Sequence, residues 1–299
     1  MSLPATRFID PAVLARLSSM ELLARSVVEG FLAGLHQSPY KGFSVDFMQY
    51  RPYVPGDDLQ RVDWKVYART DRYFVKEYQG ETNTRVHIVL DTSGSMGFAS
   101  TEVSKLKYAC YLAASVAYLA NRQRDAAGLT LFDRSIGTYC PPRVSRTHLL
   151  TLLTALGQAA AGTATDLDRS LGTIAEQQRK RGFIVLISDL LTDIEAVEKT
   201  LSLLRYAGHN VVVFQVMDPM EISFDYKDVV EFRDLESGRR MLIDATSARA
   251  EYRQRYATFQ DRLKKVCGLL QVDRAVLRTD QPLDRALFHY LSARSKRRF

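Results

Sequence analysis

The chain has 299 residues, 46% of them hydrophobic and 25% charged, a balance ordinary for a soluble globular protein with a sizeable core. No apolar run reaches the roughly 18 residues that a membrane span needs, and the N-terminus has no charged, apolar and small-residue leader, so the chain reads as cytoplasmic. The three cysteines and five histidines are scattered, with neither zinc spacing nor a disulfide framework. The formal charge of +7 is compatible with acidic partners, nucleic acid or an anionic membrane, and more simply with a solvated surface carrying a surplus of basic residues. Part of the surplus is local, at Arg179-Lys180-Arg181 and Ser295-Lys296-Arg297-Arg298.

Asp10-Pro11 places an N-cap before a first-turn proline and predicts a short helix. Ser18 or Ser19 can cap a second helix whose apolar face comprises Leu22, Leu23, Val27, Val28, Phe31 and Leu32, with Gly34 as its expected end. Lys41 to Tyr50 and Arg72 to Tyr78 read as strands of a small β-rich unit. Between them lies Arg51-Pro52-Tyr53-Val54-Pro55-Gly56-Asp57-Asp58, followed by Val62-Asp63-Trp64-Lys65 and Arg69. This block of both charge signs suits a salt-bridged dock onto the main body, or an interface.

From Arg85 the pattern becomes a regular α/β alternation. Val86 to Asp91 is a short, β-branched apolar run. A helix is expected over Glu102 to Asn121 and a strand over Ala127 to Phe132. Ser135 to Cys140 would be its hairpin partner, ending before Pro141-Pro142. Helices follow over Arg146 to Ala159 and Asp166 to Arg179, a strand over Phe183 to Asp189, a helix over Ile194 to Ala207 and a strand over Val211 to Val216. Short connections between alternating strands and helices predict a doubly wound, mostly parallel Rossmann-type sheet. Beyond it, Val229 to Leu235 and Arg240 to Ile243 form a predicted hairpin. A basic helix spans Ser247 to Cys267, Gln271 to Leu277 is a strand, and Pro282 opens a helix ending near Leu291. The expected organisation is an N-terminal helical and β-rich extension (1–84), the α/β domain (85–218) and a C-terminal hairpin with helices on the same body (219–299).

Three loops at the C-terminal strand ends bring oxygen donors: Asp91, Ser93 and Ser95 from the first, Thr165 (with Thr163 as second choice) from the second, and Asp189 from the third. Doubly wound sheets bind ligands at that edge. Two acids and several hydroxyls suit a hard cation, Mg²⁺ before Mn²⁺ or Ca²⁺, with a position left for a partner carboxylate. Each residue also has a plainer reading: the first loop as a self-bonded turn, Thr165 as an N-cap.

Asp91-Thr92-Ser93-Gly94-Ser95, with Thr165 and Asp189, resembles the metal-ion-dependent adhesion site of von Willebrand factor type A domains. The Arg51–Asp58 and Val62–Lys65 motifs, together with Leu277-Arg278-Thr279-Asp280-Gln281-Pro282-Leu283, resemble the bacterial domain-of-unknown-function 58 family (DUF58). That resemblance implies an A-type domain, a metal bridging to a partner's Asp or Glu, and association with a MoxR-type AAA+ ATPase. An enzyme is not expected. The chain has no Gly-x-x-x-x-Gly-Lys-Ser/Thr phosphate loop, and Gly94-Ser95-Met96-Gly97 is one residue short of a nucleophile elbow. Two alternatives remain, a metal-assisted hydrolase and a nucleic-acid scaffold built on Arg249, Arg253, Arg255, Arg262, Lys264 and Lys265. Nucleic acid is the disfavoured partner, because that helix also reads as amphipathic, with Tyr252, Tyr256, Phe259 and Leu263 inward.

Overall fold

A computed structural model describes residues 10–17, 19–37, 49–53, 67, 72–77, 84–162 and 180–296. Asp10 caps helix α1 (Pro11–Leu14), its carboxylate accepting the Ala12 amide at 2.8 Å. Helix α2 (Met20–Gln37) buries Leu23, Val27, Val28, Phe31 and Leu32 along one stripe. It does not stop at Gly34 as expected. A single helical glycine weakens a helix by only about 1 kcal/mol, less than burial of that stripe contributes.

Of the expected 41–50 strand, the described residues Gln49 and Tyr50 belong to β1 (Gln49–Pro52), which pairs antiparallel with β2 (Phe74–Glu77). The Asp57, Asp58, Asp63, Trp64 and Arg69 positions of the charged block lie outside the described residues, as does the helix expected over 166–179.

The α/β body contains β3 (Arg85–Asp91), helix α3 (Lys105–Arg122), β4 (Ala126–Phe132), β5 (Ile136–Arg143), helix α4 (Arg146–Gly157), β6 (Phe183–Ser188), helix α5 (Ile194–Tyr206) and β7 (Asn210–Met217). A short helix α6 (Pro219–Ser223) follows, then the hairpin β8 (Val229–Arg233) and β9 (Arg240–Asp244), the long helix α7 (Ala245–Leu269), strand β10 (Asp273–Arg278) and helix α8 (Asp284–Lys296). Six strands form one sheet in the order β10-β7-β6-β3-β4-β5, parallel throughout except for β5. The sheet is doubly wound as expected. Strand order runs one way from β3 through β4 and the other way through β6, β7 and β10, so the reversal lies between β3 and β6, where such sheets bind ligands. β10 adds the C-terminal segment to this sheet, pairing residues 273–278 with 212–217 of β7.

Alternation along the strands splits the core in two. Val86, Ile88 and Leu90 face a cluster with α2, α3, α4 and α8, while Val89, Ile184 and Leu186 face α5 and α7. α3 is buried on nearly every side, which explains its alanines: only a narrow helix fits between the sheet and an outer layer. It begins at Lys105 rather than Glu102 because Ser104 is the cap, its Oγ accepting the Lys107 amide at 3.2 Å.

β5 runs through Pro141 and Pro142 to Arg143 rather than stopping before them. Prolines are tolerated there because β5 lies at the end of the strand order, paired with β4 on one side, and an outer strand does not require every N–H.

His87 of β3 is 1% exposed and its Nε2 lies 2.7 Å from Thr130 Oγ1. Burial, with a smaller contribution from His209, lowers its pKa to about 3. The unfolded chain takes up a proton near pH 6.5 that the folded chain refuses, so stability present above that pH is lost as pH falls from 6.5 toward 3. Between pH 7.5 and 5.0 the protein should lose about 2 kcal/mol more than a His87→Gln variant, at about 1.4 kcal/mol per pH unit below 6.5. Urea titrations at the two pH values measure this; parallel losses in both proteins would remove His87 as the cause.

Candidate functional site

The first loop is shaped by its own polar atoms. Asp91 ends β3, and its Oδ1 accepts the Ser93 amide at 2.9 Å. Its Oδ2 accepts the Ser188 hydroxyl at 2.6 Å from the end of β6, across the point where strand order reverses. Thr92 donates its N–H and its hydroxyl to Phe132 O, at 2.7 and 2.9 Å, fixing the loop to β4. A 3₁₀ turn over Ser95–Gly97, anchored by fully buried Met96, then brings the Ser93 and Ser95 hydroxyls to 3.1 Å from each other. Asp91 and Ser93 are buried, and Ser95 is half-buried.

The third loop turns sharply after β6. Leu190 takes the left-handed conformation at φ 55°, uncommon for a residue with a side chain. In that turn Ser188 Oγ accepts the Leu190 amide at 3.0 Å and Asp189 Oδ1 accepts the Leu191 amide at 3.1 Å. Gln215 Nε2 holds the Asp189 carbonyl at 2.9 Å. Asp189 does not cap α5, whose N-cap residue is Asp193.

The sequence-predicted donors Asp91, Ser93, Ser95 and Asp189 thus lie at one edge of the sheet. Thr165, and Thr163 with it, lie outside the described residues. The Gly162 amide donates to Thr92 O at 2.7 Å. Asp91 feels burial first and the charge of Asp189 second, and its pKa rises to about 7 against the hydrogen bonds from Ser188 and Ser93. Two carboxylates, beside the paired Ser93 and Ser95 hydroxyls, form an oxygen-rich donor set that fits a hard cation. Among the described residues no group of three or more His, Cys, Asp and Glu is arranged to hold a metal, so serine hydroxyls would be indispensable ligands here.

Sequence reasoning missed the cation already beside the site. Lys105, with no exposed surface, places Nζ 2.7 Å from Asp189 Oδ2 and 2.5 Å from Glu221 Oε1. Burial works against its charge; the charges of Asp189 and Glu221 and their hydrogen bonds outweigh it and raise the lysine's pKa. Asp218, also buried, accepts the Ser100 amide at 2.8 Å and the Ser100 hydroxyl, tying the loop before α3 to the end of β7.

Comparison with known proteins places the chain. The family model described as "Protein of unknown function DUF58" matches residues 49–265. The chain belongs to the DUF58 family. The uncharacterized protein Rv1480 of Mycobacterium tuberculosis is 31% identical over 233 residues, spanning 77% of this chain and 73% of the relative. The uncharacterized protein Mb1516 of Mycobacterium bovis aligns to the same extent. Among solved structures, BatB from Bacteroides thetaiotaomicron is similar with a TM-score of 0.48 at 16% identity, covering 71% of this chain and 98% of that one. The SpRpn10 VWA domain is similar with a TM-score of 0.40 at 10% identity, covering 68% and 92%.

Two signals in this DUF58 sequence could have found the missed residues. Lys105 is a cation in the first turn of a largely apolar helix, where the helix dipole disfavours positive charge. Asp218-Pro219-Met220-Glu221 has the N-cap, first-turn proline and third-position acid of a capping box, and the structure forms that box. Of the arginines offered to nucleic acid, Arg249 bonds Tyr226 O and Asp225 and Arg253 bonds Ser223 O, while Arg255 and Arg262 stay exposed beside Glu251 and Glu195.

Breaking a buried ion pair from one side strands the other charge and costs about 3–5 kcal/mol. Lys105→Met should therefore lower the unfolding free energy by that amount. The double variant Lys105→Met/Glu221→Gln should recover part of it. A loss under about 1 kcal/mol for the single variant, typical of exposed pairs, would contradict the burial described.

Proposed function

We propose that this DUF58 protein is a metal-dependent protein-binding module that grips an acidic residue of its partner. The observation carrying this reading is the meeting of Asp91, Ser93, Ser95 and Asp189 where strand order reverses, with Asp91 raised toward neutrality by burial and by Asp189. Asp91, Ser93, Ser95 and Asp189, with Thr165 from the second loop, would hold Mg²⁺, or Mn²⁺ or Ca²⁺ in its place. Once bound, the cation would supply a Lewis-acidic contact for an Asp or Glu carboxylate of the partner.

The chain's own groups preorganise the contact. The Ser93 amide and Ser188 hydroxyl orient Asp91, while the Leu191 amide and Lys105 orient Asp189. Both carboxylates are 2% exposed, so a ligand would meet them in a water-poor setting where charge interactions are strong. No general base is assigned, and the role is one of binding rather than catalysis. The resemblance of the Arg51–Asp58, Val62–Lys65 and Leu277–Leu283 motifs to its family supports a MoxR-type AAA+ ATPase as partner, with an adaptor or chaperone-like task. No helix of the described residues is long and apolar enough to cross a membrane, which fits a partner met off the bilayer. The bonds of Arg249 and Arg253 to backbone carbonyls weigh against nucleic acid.

Calorimetry of chelator-stripped protein should show one Mg²⁺ site that Asp91→Ala and Ser93→Ala each abolish. Capture of partner proteins by the intact chain should fail both in chelator and with Ser95→Ala. Absence of divalent-ion binding in the unsubstituted chain would end the metal reading. Capture that survives both treatments would place partner binding elsewhere.

A further inference from the structure

Lys105 joins the candidate site to a part of the fold that the binding role leaves without a task. Of its two acidic partners, Asp189 belongs to the site and Glu221 belongs to α6. The second oxygen of Glu221 accepts the Asp218 amide at 3.1 Å and completes the capping box that starts α6. Backbone carbonyls on and just beyond α6 then hold the C-terminal unit. Glu221 O accepts the Tyr252 hydroxyl at 2.6 Å, Ser223 O accepts Arg253 Nε at 2.7 Å, and Tyr226 O accepts Arg249 Nη2 at 2.6 Å. Phe224 ends α6 in a left-handed conformation, φ 47°. Its ring stacks on Tyr252 at 4.2 Å and on Phe232 of β8 at 5.5 Å. Contacts therefore run without a break from Asp189 through Lys105 and Glu221 to the hairpin and the first half of α7.

We propose, resting on the cation reading above, that Lys105 is a positioning residue that carries occupancy of the site from Asp189 to Glu221 and on to α6, the β8–β9 hairpin and α7. A divalent cation held by Asp91, Ser93 and Ser95 attracts the Asp189 carboxylate and repels the ammonium paired with it. Like charges a few ångströms apart interact strongly in a buried setting. The ammonium has no exposed surface and so no solvent to withdraw into; its remaining acidic contact is Glu221. A tighter Lys105–Glu221 pair competes with the bond from Glu221 to the Asp218 amide, and α6 is only five residues long, so its capping box is a large share of what holds it. The capping box and the stack on Phe224 form the element whose balance the cation would shift.

Hydrogen exchange of the full chain, read by mass spectrometry at one pH with and without saturating MgCl₂, tests the relay. Calorimetry on the same samples reports Mg²⁺ binding. In the unsubstituted chain Mg²⁺ should change exchange rates across 219–256 by about fivefold or more, the lower end of typical coupling between sites. Glu221→Gln should still bind Mg²⁺, with the change across 219–256 falling below about twofold, under that range. Tyr252→Phe, which leaves the Lys105 pairs intact, should keep the response in 219–223 and reduce it in 224–256; this variant decides the matter if Glu221→Gln does not fold. Mg²⁺ binding with 219–256 unchanged would overturn the relay and leave the cation site standing. Absence of binding would overturn both. A full response in Glu221→Gln, or one undiminished across 224–256 in Tyr252→Phe, would show that the path does not run through α6.

Discussion

An ammonium cut off from water must be neutralised where it stands, and the position of Lys105 makes that demand severe. It lies in the first turn of α3, at the end of the helix where the backbone dipole is already positive. The helix cannot retreat, because its alanine-rich sides are packed between the sheet and the outer layer of α2 and α8. Acids must therefore be delivered to the lysine, and the ends of two neighbouring parallel strands deliver them: β6 leads into Asp189, and β7 leads through the Asp218 cap into Glu221. Strand order, the Leu190 turn and the capping box of α6 all meet this single requirement.

The same neighbourhood holds more negative than positive charge. Asp189 and Glu221 both pair with the one ammonium, and Asp91 is raised to about 7 by burial first and by the charge of Asp189 second. A buried carboxyl raised this far despite bonds from Ser188 and Ser93 is one whose charged form a nearby cation would favour. That preference is the electrostatic basis of the metal reading. The lysine limits it, because Asp189 is already shared and any additional cation must compete for it.

Much of this architecture was legible from periodicity. Apolar runs and their spacing located β3, β4, β6 and β7, and Asp91, Ser93, Ser95 and Asp189 fall at one edge of the sheet, as expected from their places after the strands. Boundaries failed where tertiary packing overrode a local signal. Gly34 did not stop α2, because the stripe before it was already buried. Pro141 and Pro142 did not stop β5, because an outer strand tolerates missing donors. Lys105 and Glu221 went unseen for a different reason. A lysine at the start of a helix and an acid in a short turn look like solvated surface, and only the long-range meeting of α3 with β6 and α6, 84 and 116 residues apart in sequence, makes them partners.

The prolines of β5 also bear on how copies of the chain can meet. Sheets recruit further strands through rows of unpaired backbone N–H and C=O groups, the route to edge-to-edge association and aggregation. Pro141 and Pro142 carry no N–H, which thins the row of donors along the outermost strand β5. At the opposite flank, β10 carries Asp273, Arg274 and Arg278, and charge of this kind also discourages strand addition. Proline at one flank and charge at the other leave the sheet poorly suited to backbone pairing between copies of the chain.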